Sequence, residues 1–425
     1  MKRIVHGLVA VSCVALAASM TPAPAGASVA QPHVVSDDPV NYTPNVEDDG
    51  VVSHTYVNAF AQIGNTMYAG GTFHTVMDSS QTTTYVRNNL MSFDATTGAL
   101  TNFAPNVNGQ IYAMVSSGNS LYIGGYFTTV NGVSRAAVAK LDATTGAVDT
   151  TFDAGFSSGH VTDMHLVNGR LIVSGNIHKR LEALNPTTGK NTGYLAVAIS
   201  GTVASNAGGT RVYKFAVNAA GTRLVGIGNF TTVGGLARSR AFMLDLGATS
   251  ATVDAWYYQP LTKMCRASGL PVYLKGVDFS PDGSYFVMDS TGYIPTTGGV
   301  GTDICDAAAR FETNIANPIR PTWINYTGGD SLTSIAATGA VVYVQGHQRC
   351  LDNPNGTSGC LAGSSPRPGI GAIDPVTGKA VSWNPTKTRG VGGRVLFATS
   401  SGLWVGSDGA LFNQEHRNNI AFVSL

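Results

Sequence analysis

LYIGGYFTTVNGVSRAAVAKLDATTG, residues 121–146, is the stretch whose reading decides the fold. It opens with a short apolar strand that ends on the pair Gly124 and Gly125. A polar loop follows. Arg135 then opens a second apolar run, and Asp142 begins an Asp-x-x-Thr-Gly turn. Short apolar runs punctuated by Gly, Asn, Asp and Thr are the signature of strands joined by tight turns, with the final Gly supplying a positive φ.

Working outward, degraded copies recur along the chain. Gly70, Gly71, Thr72 and Phe73 are followed by Arg87 and then by the turn 94–98. Residues 171–175 precede the turn 185–189, with His178 in place of the Arg. Ile227, Gly228, Asn229 and Phe230 precede Arg238 and Asp245. The fifth copy is the least regular and carries the turn 280–283, whereas the sixth has 341–346, Arg367 and the turn 374–378. The last has 403–406 and Arg417, then stops at Leu425 where the others would make their turn. Markers at the end of the second strand fall at Gly70, Gly124, Ser174, Ile227, Met288, Gln345 and Val405, a period of roughly 50–60 residues.

The two chain ends complement each other. Residues 41–46 (NYTPNV) match 102–107 (NFAPNV), which close the first full repeat, while the last repeat lacks that strand. A period of this length with four short strands per unit predicts an all-β fold. Specifically, it predicts a seven-bladed β-propeller of four-stranded antiparallel blades, the last blade closed by the N-terminal strand. A solenoid would need distinct capping repeats, and none is visible.

The motif GGYFTTVNGVSR with DATTG resembles the delta-60 repeat of secreted bacterial β-propeller proteins. The resemblance spans nearly the whole chain after its start and is strongest in repeats one, two and four. It implies a propeller in an extracellular setting. It carries no agreed activity and transfers no site residue.

Residues 1–30 read as a secretory signal: Lys2 and Arg3, then a largely apolar run, then small residues ending at Ala27 or Ala30. Residues 31–40 read as a leader, and 41–425 as a single propeller domain. No later run is long enough to span a membrane. The expectation is a secreted monomer without a membrane span. Formal charge is +1 with 12% charged residues, so there is no electrostatic case for nucleic acid. Cys265, Cys305, Cys350 and Cys360 in an exported chain favour disulfides. Three pairings are possible, and the positions of the cysteines in the long irregular segments of repeats five and six suggest Cys265–Cys305 and Cys350–Cys360.

Residues shared by the repeats are read as frame. Arg87, Arg135, Arg238, Arg367 and Arg417 recur at one place, and a ligand rarely meets every blade alike. Asp163, Lys214 and Asp278 fall on innermost strands and are read as a structural ring of charges lining the channel. Function is sought where the repeat is broken, in 260–272, 289–306 and 345–369, which should rise from one sector of one face. His347, Gln348, Arg349, Asp352, Arg266 and Asp303 lie in those segments, with Asp330 on an adjacent interblade loop. Such groups suit a polar ligand: a carbohydrate, a cell-envelope component or a protein. A His–carboxylate pair also suits acid–base work, so a polysaccharide hydrolase or lyase is the alternative. No catalytic motif is recognised, and no cofactor or metal site is expected from the spacings.

Overall fold

The computed structural model describes residues 28–203, 208–266 and 273–425. The export-signal reading therefore lies almost wholly outside the described residues, as does the end of the 260–272 loop. The fold is all-β, with only two short 3-10 turns, Gln259–Thr262 and Pro354–Gly356, among the described residues.

Among the described residues twelve antiparallel sheets form, five of them small sheets of two- and three-residue strands, and the seven larger ones follow one another along the chain. Their inner strands are Tyr56–Ile63, Gln110–Ser117, His160–Val167, Arg211–Val217, Leu274–Phe279, Leu332–Ala337 and Gly393–Thr399. Each inner strand pairs with the next strand in sequence, and that strand pairs with a third. The fourth and fifth sheets add an outer strand, Ala251–Val253 and Trp323–Tyr326. In four others the outer segment touches at a single bridge, Phe93–Leu100, Leu141–Val148, Leu184–Asn191 and Ile373–Ala380.

In the seventh sheet that outer place is held by the start of the described chain. Val40 N–H donates to Phe422 O at 3.0 Å and Ser36 N–H to Ser424 O at 2.8 Å. The segment read as a leader is thus hydrogen-bonded along the last strand, and Trp383 Nε1 also donates to Ser36 O. Tyr42 consequently occupies the position that Phe103 holds in the first sheet.

Each inner strand packs against the inner strand of the next sheet, and Gly393–Thr399 packs back against Tyr56–Ile63. One apolar cluster, with Val57, Phe60, Phe93, Trp404 and Phe422, joins the first sheet to the seventh. Trp404 and Phe422 stack at 4.5 Å between centroids. The sheets are pinned at their outer edges too: Tyr68 OH donates to Ala143 O, Tyr122 OH to Pro186 O and Trp323 Nε1 to Pro375 O, each reaching the turn of the following sheet.

One irregularity repeats in register. In six sheets a β-bulge leaves a single inner-strand residue unpaired: Asn58, Tyr112, Thr162, Tyr213, Thr333 and Arg394. In the fifth it widens, with Lys275 and Gly276 facing Asp289. Bulges bend a strand and re-aim its side chains. Three of these residues stitch neighbouring sheets: Asn58 Nδ2 donates to Ile111 O, Thr162 Oγ1 to Val212 O and Thr333 Oγ1 to Gly393 O. The register also corrects one marker. Gly406, not Val405, takes the place of Gly70, because Val395 after the bulge pairs with Gly406 as Ala59 pairs with Gly70.

Candidate functional site

Inner strands from all seven sheets line one cavity of about 430 Å³. Asp163, Lys214 and Asp278 face into it, together with His165. Asp163 accepts from Met164 N–H and Phe215 N–H and lies 3.8 Å from His165. Nearby Lys214 and His165 hold its carboxyl low, against the effect of burial. Asp278 has no cation within ion-pair distance among the described residues. The charges therefore do not form a continuous ring.

The bulges set the chemistry of one mouth of this channel. The strand ends that begin the inner strands lie there, beside the loops that follow each second strand. Cations from three sheets are stacked on tyrosines: Arg211 over Tyr213 at 5.1 Å, Lys275 over Tyr273 at 4.6 Å and Arg394 over Tyr56 at 4.3 Å. Tyr213 and Tyr273 meet edge to face, as do Tyr126 and His160. Tyr126 is 63% exposed, so one aromatic face is open to solvent.

A second cavity, of about 400 Å³, opens beside the first and shares Lys275, Thr333 and Arg394 with it. Tyr273, Tyr293, Asp306 and Ser331 complete its polar wall. Asp306 accepts from Tyr293 N–H at 2.8 Å and from Ser331 Oγ at 3.1 Å. Burial, with the charge of Asp330 adding to it, pushes its carboxyl up to about 7. Asp289 behaves similarly. It is fully buried, one oxygen accepts from Gly276 N–H at 2.6 Å, and the other has no partner among the described residues. Burial pushes it up to about 7 despite Lys275 nearby. Lys275 itself is pushed down by burial, with Asp289 opposing and Arg394 and Arg211 adding to the shift. Two carboxyls that hold protons near neutrality leave the cations as the dominant fixed charge of this wall.

The structure joins the first two broken segments directly and ties the third to residues 326–328 at the end of the fifth sheet. Arg266 N–H donates to Ile294 O, Gly359 N–H to Gly328 O and Asn353 N–H to Tyr326 O. Cys265 and Cys305 sit 5.9 Å apart at Cα, and Cys350 and Cys360 6.0 Å, as disulfide pairs. The first pair joins 260–272 to 289–306, and the second closes a loop within 345–369.

The singled-out residues separate into groups. Asp330, Arg349 and His347 form one cluster at the rim. Asp330 accepts from Arg349 Nε at 2.8 Å and from Arg389 Nη2 at 3.3 Å. Arg389 Nε also donates to His347 O, and His347 Nδ1 lies 2.8 Å from Gly390 O. Asp352 instead bridges the outer segments of the fifth and sixth sheets, taking Ala380 N–H as well, and Asp303 serves its own loop. Asp352 accepts from Asn325 Nδ2 and Ser365 Oγ, and Asp303 accepts from Thr296 N–H and Oγ1. Arg266 is exposed and meets the loop through its backbone N–H. Gln348 is wholly buried, and neither atom of its amide has a partner among the described residues.

Five arginines make one repeated contact. Arg87, Arg135, Arg238 and Arg367 each donate through Nη1 to the carbonyl just before them and through Nη2 to Thr101, Thr150, Asp254 and Val381 carbonyls on the outer segment. Arg417 does the same to His416 O and, through Nε, to Val40 O.

Sequence reading passed over Asp306, Asp289 and Arg389 as individual residues. Asp289 carried a signal, since it stands where other repeats keep their glycine-rich bulge partner. Asp306 and Arg389 carried none, because their importance comes from neighbours distant in sequence.

A family profile described as "Domain of unknown function (DUF5122) beta-propeller" matches residues 119–152, the stretch from which the reading began. The match supports a β-propeller family. No curated protein matches. Among solved structures, Kuenenia stuttgartiensis hydrazine synthase is 12% identical, covers 89% of this chain and 99% of its own, and superposes with a TM-score of 0.52. A computationally designed protein, Ika8, is 10% identical over 90% of this chain and 98% of its own, with a TM-score of 0.47. At this identity the hydrazine synthase likeness speaks to fold alone.

Proposed function

We propose that the chain is a secreted, monomeric seven-bladed propeller of delta-60-type repeats. Each sheet is a four-stranded blade, and the N-terminal segment supplies the outer strand of the last. It acts as a binding module for a carbohydrate or other cell-envelope component on the loop-rich face of blades four to six. The observation that supports this is the open cleft on that face, where Tyr273, Tyr293, Lys275, Arg394 and Asp306 converge beside the channel mouth. Aromatic edges and faces together with fixed donors suit a saccharide, and a cleft of this size takes one or two residues of such a polymer. A protein ligand would engage the wider rim, including Asp330, Arg349 and His347.

Binding of the purified secreted protein to a panel of neutral and acidic envelope glycans tests the reading. Retention on at least one, with a loss of about tenfold or more on Tyr293→Ala or Lys275→Ala, is expected. Unchanged retention in both variants places the site elsewhere.

A second reading is favoured by one observation. Asp306 holds its proton to about 7 while Asp330 forms ion pairs with Arg349 and Arg389, an arrangement that suits a general acid beside a second carboxyl. A hydrolase or lyase would release new chain ends from a polysaccharide, and Asp306→Asn would abolish that release. No turnover across pH 4–8 on the glycans that bind would remove this reading.

A further inference from the structure

The channel's other end carries an observation that the ligand reading does not use. Asp278 faces the channel from the inner strand of the fifth sheet, and its Oδ2 accepts from Ala337 N–H at 2.8 Å. Its Oδ1 accepts from Ser28 Oγ at 2.5 Å, and the same hydroxyl lies 2.5 Å from Phe279 O. Residues 28 and 29 line the channel among Thr399 and Ser400, at the end opposite the tyrosines. The following residues hold them there: Gln31 N–H donates to Thr338 O, and its Nε2 to Thr399 O and Gly402 O. Gln31 is itself buried.

The neighbouring charges do not neutralise Asp278. His165 lies against Asp163 and also favours the Asp278 carboxylate at longer range, Lys214 acts on Asp163, and Lys275 acts on Asp289, so among the described residues no cation sits within ion-pair distance of Asp278. Burial pushes the Asp278 carboxyl up to about 6 even with the Ser28 hydroxyl and Ala337 N–H donating to it. A carboxylate in such a place is stabilised by an added cation.

The sequence places small residues, Ala25, Gly26 and Ala27, immediately before Ser28, a spacing that suits export processing. We propose that the chain is cut between Ala27 and Ser28 and that the α-ammonium so formed pairs with Asp278, seating the mature N-terminus as a plug in this end of the channel. In the cut, water adds across the Ala27–Ser28 peptide bond. A carboxylate is left on Ala27 and an ammonium on Ser28, and the leader departs. Covalent geometry keeps the Ser28 nitrogen within about 4 Å of its own Oγ, so the charge appears beside the carboxyl that the hydroxyl already touches. Cleavage after Ala30 would discard Ser28 and Gln31's tether would begin the chain, leaving Asp278 without a cation. With the plug in place the channel becomes a well open only at the tyrosine-lined mouth.

The test starts with intact mass and N-terminal sequencing of the protein secreted by its own signal. A chain beginning at Ser28 is expected, and one beginning at Gln31 overturns the proposal. A double-mutant cycle then measures the pair. Asp278→Asn, and a chain carrying one extra glycine before Ser28, should each lower Tm by about 2–4 °C, and the combination should cost little more than either alone. Additive effects overturn the proposal. Should Asp278→Asn not be secreted, acetylation of the α-amino group of the mature wild-type protein replaces it, with a fall in Tm expected and no change overturning. Glycan binding is scored separately, so loss of the ligand reading leaves this result intact.

Discussion

A Cβ at Gly125 would collide with the carbonyl of Gln110, and Gly71 meets the carbonyl of Tyr56 in the same way. These glycines are needed for close approach at the bulge, not for a positive φ. Gly125→Ala should therefore destabilise by about 2 kcal/mol or more, read as a fall in the denaturation midpoint at unchanged m-value, whereas Gly118→Ala, with open space around it, should cost only the strain of its φ of +54°. Gln348 is the converse case. It fills the place held by Phe73, Phe127 and Phe230, all buried, yet its amide has no partner among the described residues. Gln348→Leu should raise stability by about 1–2 kcal/mol, since it removes two desolvated polar atoms at similar volume. A lower midpoint would show that the amide has a partner in solution. Both residues were marked in sequence, one as a shared glycine and one as a candidate ligand-binding group in a broken segment. Only the packed neighbours reveal the sign of each effect.

At the scale of elements, the long loops of the fifth and sixth sheets are held by the two cysteine pairs. Sequence separations of 40 and 10 close loops that are worth about 4 and about 3 kcal/mol in the chain-entropy model. Reduction should lower Tm, and Cys350→Ser with Cys360→Ser should weaken ligand retention as well as the midpoint, because that loop adjoins the Asp330 cluster. The pairing was legible because Cys350 and Cys360 share one departure from the repeat and Cys265 and Cys305 fall in the two that belong to the fifth repeat. The convergence of 260–266, 292–306 and 347–360 was legible as topology, but the role of each side chain was not. Asp352 and Asp303 looked available for ligand, yet Asp352 is spent on Asn325 and Ala380 of neighbouring outer segments and Asp303 on its own loop, a matter of backbone path that one-dimensional spacing does not contain.

For the whole molecule, buried carboxyls set an unusual response to pH, with Asp278 at about 6 below two that sit higher. Asp289 and Asp306 both sit at about 7, far above the ordinary carboxylate range. The folded state favours their protonated forms, so the stability they lend is full below about pH 4 and is lost as pH rises through about 7. Tm should accordingly fall between pH 5 and pH 8, and Asp289→Asn or Asp306→Asn should flatten that slope. Carboxyls shifted the other way, such as Asp149 at about 2, act only in strong acid and lie outside this window. A Tm that rises from pH 5 to pH 8 in the wild-type protein would contradict the burial argument.

The sequence by itself determined the all-β class, the repeat and its punctuation, because alternation, glycine pairs and Asp-x-x-Thr-Gly turns are local and each copy restates them. It also determined which cysteines share a loop, and that residues 41–46 match the strand the last repeat lacks. Tertiary structure alone decided the site. Asp306, Asp330, Lys275, Arg389 and Arg394 come from three sheets and from segments far apart in the chain, and their protonation depends on burial that no single strand provides. The motif at residues 121–146 is the frame. The chemistry lies where packing brings dissimilar strands to one mouth.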